Sequence, residues 1–581
     1  MNSHDPGAPA HAQAPAPSYV SGTSEQPLLG LTIGDCLDAA ASDCPDREAL
    51  VSCHQNLRYT YAELRDEANR IARALLALGV ERGDRVGIWS LNCAEWALTQ
   101  LASAKIGAIL VNLNPAYRAR ELEHALLQSG LSVLVLQGAH RAGGEIRSHY
   151  VDILCQLAPE LRDAPAPNAE QRRLDCASLP QLKQVVCLDP ELATPGMWRW
   201  DELHAIAEAV PAERLAALQA ELQFDDPINI QYTSGTTGSP KGVTLTHHNI
   251  LNNGYFVGAG MNLQPAQRVV IPVPLYHCFG MVMGNLACLT HRATMIYPNA
   301  AFDPAATLRA VEAERADALY GVPTMFIAEL EHPEFANFDL SSLRTGIMAG
   351  SNCPVEVMKR VIERMHMEAV TIAYGMTETS PVSLQTRPDA PLEKRVATVG
   401  TIHPHLEVKI IDPASGQVLP RGTSGELCTR GYSVMQGYWD NDAATRQAID
   451  THGWMHSGDL AMMDDDGYVA ITGRIKDMII RGGENLYPRE IEEFLYTHPA
   501  ISDAQVFGVP DAHYGEAVAV WIRLVEGAEL DAEGVRAYCR ERIAHHKIPR
   551  YVKFVDDFPM TVSGKVQKFR MRQAMSDELA P

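Results

Sequence analysis

The run Tyr232-Thr-Ser-Gly-Thr-Thr-Gly-Ser-Pro-Lys-Gly-Val243 gathers hydroxyls, glycines and one lysine after the apolar, strand-like stretch Ile228 to Tyr232. Glycines let backbone N–H groups approach an anion closely, Ser and Thr hydroxyls add donors, and a lysine supplies positive charge. The chemistry is phosphate binding. It is not a Walker A loop, because Gly235 is followed five residues on by Pro240 and Lys241 precedes Gly242. Downstream, Tyr374-Gly-Met-Thr-Glu-Thr379 offers an aromatic ring, hydroxyls and the Glu378 carboxylate, a hard oxygen donor of the kind Mg²⁺ takes. His456-Ser-Gly-Asp-Leu460 offers Asp459, an acceptor suited to a diol. Gly473-Arg-Ile-Lys-Asp477 adds Arg474 and Lys476, and Pro559-Met-Thr-Val-Ser-Gly-Lys-Val566 adds Lys565. Each segment alone has a bland reading: a flexible loop, a helix start before Ser-Pro, a turn, a solvated lysine. Five of them in order along one chain do not.

In that order the segments resemble the signatures of the adenylate-forming, AMP-binding superfamily, which includes acyl-CoA synthetases, luciferases and peptide-synthetase adenylation domains. The resemblance runs from about Leu28 to about Gln573. It is nearest to medium- and long-chain fatty acyl-CoA synthetases of the family member 2 type, on the string Lys476-Asp-Met-Ile-Ile-Arg-Gly-Gly-Glu-Asn-Leu-Tyr-Pro488. It implies ATP, Mg²⁺ and coenzyme A. The nucleotide would be held by Thr233, Ser234, Gly235, Thr236, Thr237, Gly238, Lys241, Tyr374, Gly375, Met376, Thr377, Glu378, Asp459, Arg474 and Lys565. Thr233 and Glu378 would hold the metal. Lys565, Glu378 and Thr233 would be catalytic, with Lys565 mobile. Lys476 would be the hinge, and Gly482, Gly483 and Glu484 would line the coenzyme A path.

The acid side is read from Pro274-Leu-Tyr-His-Cys-Phe-Gly-Met281, which matches the family's carboxylate-substrate segment. Its pocket residues are His277, Phe279, Met281, Met283, Gly350 and Val382. Amino-acid-activating relatives carry an aspartate in this region. Here Tyr276, His277 and Cys278 stand instead, and burying an ammonium without a partner is costly. The substrate therefore lacks an α-amine, and methionines suit a flexible alkyl chain. An aryl acid stays open on residue types. The expected activity is fatty acid–CoA ligation through an acyl-adenylate. A free-standing enzyme loading an acyl or aryl group onto a carrier protein is the alternative, and a scaffold that kept the fold without the chemistry is the non-enzymatic one.

Bulk properties agree. At 581 residues, 46% hydrophobic and 21% charged, the chain has the length and composition of a globular protein with more than one domain. A net charge of −22 argues against nucleic acid as the main partner, while leaving room for local lysines and arginines around ATP. Twelve cysteines without a C-x-x-C pair fit reduced thiols in the cytoplasm. Residues 1–27, rich in Ala, Pro, Ser and Gly, read as disordered, with no signal-peptide core and no arginine before Arg47. The C-terminal Glu578-Leu-Ala-Pro581 is not a peroxisomal Ser-Lys-Leu tail, and no apolar run reaches the length of a membrane span. Oligomeric state is open, a homodimer being one option.

The elements that must position these groups read as α/β. Strand-like runs (Arg85 to Ser90, Gly107 to Leu113, Val133 to Gln137, Gln184 to Leu188) alternate with helical patterns (Thr60 to Leu78, Glu121 to Leu127), which predicts layered subdomains with largely parallel sheets. Arg141 to Trp200 is an excursion before the phosphate loop. From Glu407 the runs shorten, as expected of a small distorted barrel. The expected organisation is a large AMP-binding domain over 28–473, a hinge at 474–477 and a small mobile α+β domain over 478–581. In the last, a helix opens at Pro488 and places Ile491 and Leu495 on one face.

Overall fold

The computed structural model describes residues 16–142, 145–163, 174–233, 240–351, 353–481, 484–511, 514–540, 542–561 and 566–579. Two large sheets form its frame. An eight-stranded sheet runs, in spatial order, Trp198–Arg199, Gln184–Cys187, Val133–Leu136, Arg85–Trp89, Ile109–Asn112, Pro227–Thr233, Lys241–Thr246 and Gly437–Tyr438. Its first six strands are parallel, and the last two pairings are antiparallel. A nine-stranded sheet places Ala369–Gly375 beside Thr345–Ala349 and Val382–Gln385. The parallel strands are buried along their lengths, as expected of strands covered on both faces.

The helices between the sheets follow their sequence signals. Tyr61–Ala77 opens on a reciprocal cap: the Thr60 hydroxyl accepts from Glu63 N, and the Glu63 carboxylate accepts from Thr60 N. Its Leu64, Ala68, Ile71 and Leu75 are buried in a core that also takes side chains from Ala94–Lys105, His247–Gly260 and both sheets. Residues 279–291 run through that core, first as the π-helix Phe279–Leu286 and then as the α-helix Ala287–His291.

The expected barrel takes the form of a five-stranded antiparallel sheet ordered Tyr19–Ser21, Leu406–Ile411, Gly425–Gly431, Met455–Met463 and Val469–Arg474. Its first strand corrects the reading of residues 1–27 as disordered. Tyr19–Ser21 pairs with Glu407–Lys409, and the Tyr19 hydroxyl donates to Glu407 Oε1 at 2.6 Å. An aromatic next to a β-branched residue suits an edge strand, here set inside a stretch whose Ala, Pro, Ser and Gly bias masks it. Residues 1–15 lie outside the described residues. The Arg141–Trp200 excursion adds Gln184–Cys187 and Trp198–Arg199 to the edge of the eight-stranded sheet, with Tyr150–Leu157 buried against it.

After Arg474 the chain builds a separate small sheet from Glu484–Leu486, Ile479–Arg481, Gly515–Leu524 and Ile501–Asp511, with Tyr551–Phe554 parallel to Gly515–Leu524. The helix Pro488–Leu495 has its proline in the first turn, and Ile491 and Leu495 are buried in this module's own core. No described helix is long and apolar enough to cross a membrane.

Candidate functional site

The phosphate-loop residues Ser234, Gly235, Thr236, Thr237 and Gly238 lie outside the described residues; the strands that hold their ends do not. Pro227–Thr233 and Lys241–Thr246 pair antiparallel, so Thr233 faces Lys241 across the base of the loop, and the Thr233 hydroxyl donates to Lys241 O at 3.4 Å. The Lys241 ammonium sits 4.9 Å from the centre of the Tyr438 ring. The Tyr438 hydroxyl in turn donates to Glu378 Oε1 at 2.8 Å. Tyr438 thus links the loop lysine to the Glu378 carboxylate. Burial and the adjoining Glu378 charge push its phenol well above the usual tyrosine value.

Glu378 lies in the short 3₁₀ turn Thr377–Thr379 that follows the strand Ala369–Gly375. The turn approaches its own return strand closely: a Cβ on Gly375 would come 1.7 Å from Pro381 O, so only glycine fits. Tyr374, one residue before, donates its hydroxyl to Asp459 Oδ2 at 2.6 Å, while Arg474 Nε donates to Asp459 Oδ1 at 2.9 Å. Asp459 and Arg474 are direct cross-strand partners. Burial raises the Tyr374 phenol well above its ordinary value, and the neighbouring Asp459 carboxylate adds to it. Asp459 is buried, whereas the Arg474 side chain is 63% exposed, so this pair opens to solvent on the arginine side.

Lys476 stands in the turn between the strands Val469–Arg474 and Ile479–Arg481, closed by Asp477 N and Met478 N donating to Arg474 O. Beyond it, Arg489 Nη1 donates to Ile471 O at 2.7 Å and the Ser502 hydroxyl to Glu331 Oε1 at 3.0 Å, so the small module touches the large one beside the turn. Glu484 opens a strand and faces His546 at 3.8 Å. Gly482, Gly483 and Lys565 lie outside the described residues.

On the acid side, Phe279, Met281 and Met283 are buried in the π-helix, and Val382 shares their core. The Phe279 ring stacks on Tyr320 with centroids 5.8 Å apart. His277 is half-buried, and Cys278 Sγ lies 3.9 Å from Thr377 Oγ1, so the acid-side segment meets the nucleotide-side turn directly. Gly350 sits at φ +89°, at the end of the strand Thr345–Ala349. Met281 differs from its neighbours: its sulfur accepts from Asn112 Nδ2 at 3.1 Å and Gln231 Nε2 at 3.2 Å. Sequence reasoning missed Tyr438 and this amide pair. The amides carry a signal, since Asn229 and Gln231 alternate in an otherwise apolar strand with their side chains on one face.

The geometry thus sets a charged, oxygen-rich cluster against an apolar wall at one junction. The family model described as AMP-binding enzyme matches residues 37–439, and that of the AMP-binding enzyme C-terminal domain matches 490–565. The chain belongs to the AMP-binding enzyme family. It is 50% identical to the putative acyl-CoA synthetase YngI of Bacillus subtilis, over 94% of this chain and 97% of that protein. It is 45% identical to the mitochondrial medium-chain acyl-CoA ligase ACSF2 of Danio rerio, over 97% of this chain and 91% of that protein. Among solved structures, ATP-bound MatB from Rhodopseudomonas palustris aligns with a TM-score of 0.80 at 28% identity, over 95% of this chain and 100% of that one. The layered large domain and small C-terminal domain are those of an adenylate-forming enzyme.

Proposed function

We propose that this AMP-binding enzyme is a fatty acid–CoA ligase acting on medium or long unbranched acids. The observation that carries the reading is the junction itself. A wall free of Asp, Glu, Lys and Arg from Val269 to His291 abuts, through Cys278 and Thr377, the turn that bears Glu378. The acid's carboxylate oxygen attacks the α-phosphorus of ATP, and the bond to pyrophosphate breaks. The nucleophile is already ionised, so no general base is needed. What the site must do is hold two anions in line and offset their repulsion. Lys241 and Lys565 supply positive charge at the phosphates, and Asp459, with Arg474, receives the ribose hydroxyls. Tyr374 is oriented by Asp459 so that its ring can meet the base.

Glu378 and Thr233 are hard oxygen donors beside the phosphate loop, a set that suits Mg²⁺ shared with phosphate oxygens and water. Mg²⁺ bound there supplies charge shielding for the phosphates. In the second half-reaction the coenzyme A sulfur attacks the acyl carbonyl and AMP leaves. Lys565 would obstruct that thiol. Rotation of residues 478–581 about 474–477, with Lys476 at the hinge, would withdraw it and bring the Gly482-Gly483-Glu484 loop to the thiol's path; a few dihedrals suffice for such a move. A cytoplasmic location is supported by twelve cysteines without a C-x-x-C pair, the pattern of reduced thiols.

Pyrophosphate release measured over a panel of acids, with and without coenzyme A, tests the reading. Release with octanoate or longer acids, with acyl-CoA formed, is expected. Release without thioester would instead assign a carrier-protein loader. A preference for benzoates would assign an aryl acid ligase. No release with any acid would leave a scaffold.

A further inference from the structure

Behind the acid-side wall lies a chain of buried amides that the reaction itself does not use. Asn112, Asn229 and Gln231 are at most 3% exposed, on the adjacent central strands Ile109–Asn112 and Pro227–Thr233. Asn229 Nδ2 donates to Asn112 Oδ1 at 3.0 Å, and Gln231 Nε2 to Asn229 Oδ1 at 2.9 Å. Asn229 Nδ2 also donates to Leu110 O at 3.0 Å within the sheet, while the remaining donors of Asn112 and Gln231 leave it. Asn112 Nδ2 donates to Tyr276 O at 3.0 Å, and both Asn112 and Gln231 donate to the Met281 sulfur. Farther along, Gln100 Nε2 donates to Met281 O at 3.3 Å, and Asn92 brackets the segment's start through Val273 O and Leu275 N. Buried amides are costly unless satisfied, and apolar residues would fill these strands at lower cost. A satisfied network fixes one arrangement of what it joins.

What it joins are the two halves of the site. Asn229, Gln231 and Thr233 share one face of a single strand, and Thr233 begins the phosphate loop. Tyr276 and Met281 bracket His277 and the start of the wall. We infer that Asn112, Asn229 and Gln231 are positioning residues that hold the acid-binding wall in register with the phosphate loop, so that the carboxylate meets the α-phosphorus in line. The inference rests on the ligase reading above. It makes an asymmetric demand on the two half-reactions. Adenylation joins two separate substrates and depends on their relative placement. In thioester formation the acyl group and AMP are already one molecule, so the register no longer matters.

Gln231→Met keeps length and removes the amide. The expected result is a loss of kcat for pyrophosphate release on the order of 10- to 100-fold, the size a misplacement near 1 Å produces, with ATP affinity and thioester formation from supplied acyl-adenylate within about twofold of the unaltered enzyme. Equal loss in both half-reactions would show a merely structural role and overturn the inference, as would no loss in either. If Gln231→Met does not fold, Asn229→Leu, which keeps volume and removes the middle amide of the chain, should show the same asymmetry at about three- to tenfold. No pyrophosphate release by the unaltered enzyme would overturn the ligase reading and this inference with it; normal release that these substitutions leave untouched overturns the positioning role alone.

Discussion

At the nucleotide end of the site, the carboxylates already touch their donors: Glu378 the Tyr438 hydroxyl, Asp459 the Tyr374 hydroxyl and Arg474. At the acid end, residues 273–286 carry no Asp, Glu, Lys or Arg, and their polar support comes from amides behind the wall that donate to the Tyr276 carbonyl and the Met281 sulfur. One end is organised by charge held in place before the ligand arrives. The other is organised by shape. On the proposed reading, a site built this way would fix the triphosphate through electrostatics and choose the acid by the area it buries. If the two ends are separable, substitutions at one should leave the signature of the other unchanged.

The largest effect belongs to Lys565. Lys565→Ala should slow acyl-adenylate formation by about 10²- to 10³-fold, as when a positioned charge donor is lost. Thioester formation from supplied acyl-adenylate should stay near normal, because the proposed rotation would by then have withdrawn the lysine. Comparable losses in both half-reactions would remove the assignment.

Asp459→Ala comes next. It deletes the carboxylate proposed to receive the ribose hydroxyls, and one hydrogen bond to a charged group contributes about 1.5–3 kcal/mol. The KM for ATP should rise by roughly 10- to 150-fold. The dependence of rate on acyl chain length should keep its form. A changed chain-length profile would mean that charge and shape are not divided between the two ends.

How far this division is legible in the sequence differs from end to end. Asp459, Arg474, Glu378, Tyr374 and Lys241 stand in short, spaced strings whose chemistry is local, and the strands and helices that carry them follow from period and caps: Arg85–Trp89, Val133–Leu136, Gln184–Cys187, Tyr61–Ala77 and the helix at Pro488 all fall close to their expected bounds. The wall carries no Asp, Glu, Lys or Arg and is mostly apolar, so the sequence announces burial without saying what each side chain meets. That Phe279 stacks on Tyr320 while Met281 turns its sulfur to Asn112 and Gln231 depends on strands far apart in the chain. Tyr438 escaped for the same reason: it reaches Glu378 only because Gly437–Tyr438 pairs with Lys241–Thr246. The strand Tyr19–Ser21 was hidden by the biased composition around it, its partner lying some 388 residues away.

A third carboxyl tests the rule that buried charge here is partnered charge. Glu329, on the helix Pro323–Leu330, is fully buried, and neither of its oxygens has a hydrogen-bond partner among the described residues. Burial pushes its carboxyl well above the usual carboxylate range, which favours the protonated form in the fold. Above its ordinary value of 4.5 the unfolded chain ionises this group and the folded chain does not, so its contribution to stability is largest at low pH and falls as pH rises toward the folded value. Glu329→Leu removes that loss. The thermal midpoint should rise, by the equivalent of about 1–3 kcal/mol near neutral pH, and the gain should be larger at pH 8 than at pH 6. A gain independent of pH would show that Glu329 is ionised in the fold.

The smallest effect per step, and the sharpest view of the wall, comes from chain length. Each methylene buried against Phe279, Met283 and Val382 should add about 0.8 kcal/mol, close to a fourfold gain in kcat/KM. Plotted against the number of carbons, log(kcat/KM) should climb steadily and then break where the wall closes. Met283 is 3% exposed in a segment packed on all sides, so a larger ring there has to take its volume from the acyl path or from the core behind it. Met283→Trp should therefore move the break to shorter acids while the shortest acids, which never reach that depth, keep their rates and the KM for ATP stays put. A break that does not move would show that Met283 faces the core alone. A shifted break together with a raised KM for ATP would show that the wall and the nucleotide cluster move as one body, and the contrast between the two ends would then describe chemistry but not mechanics.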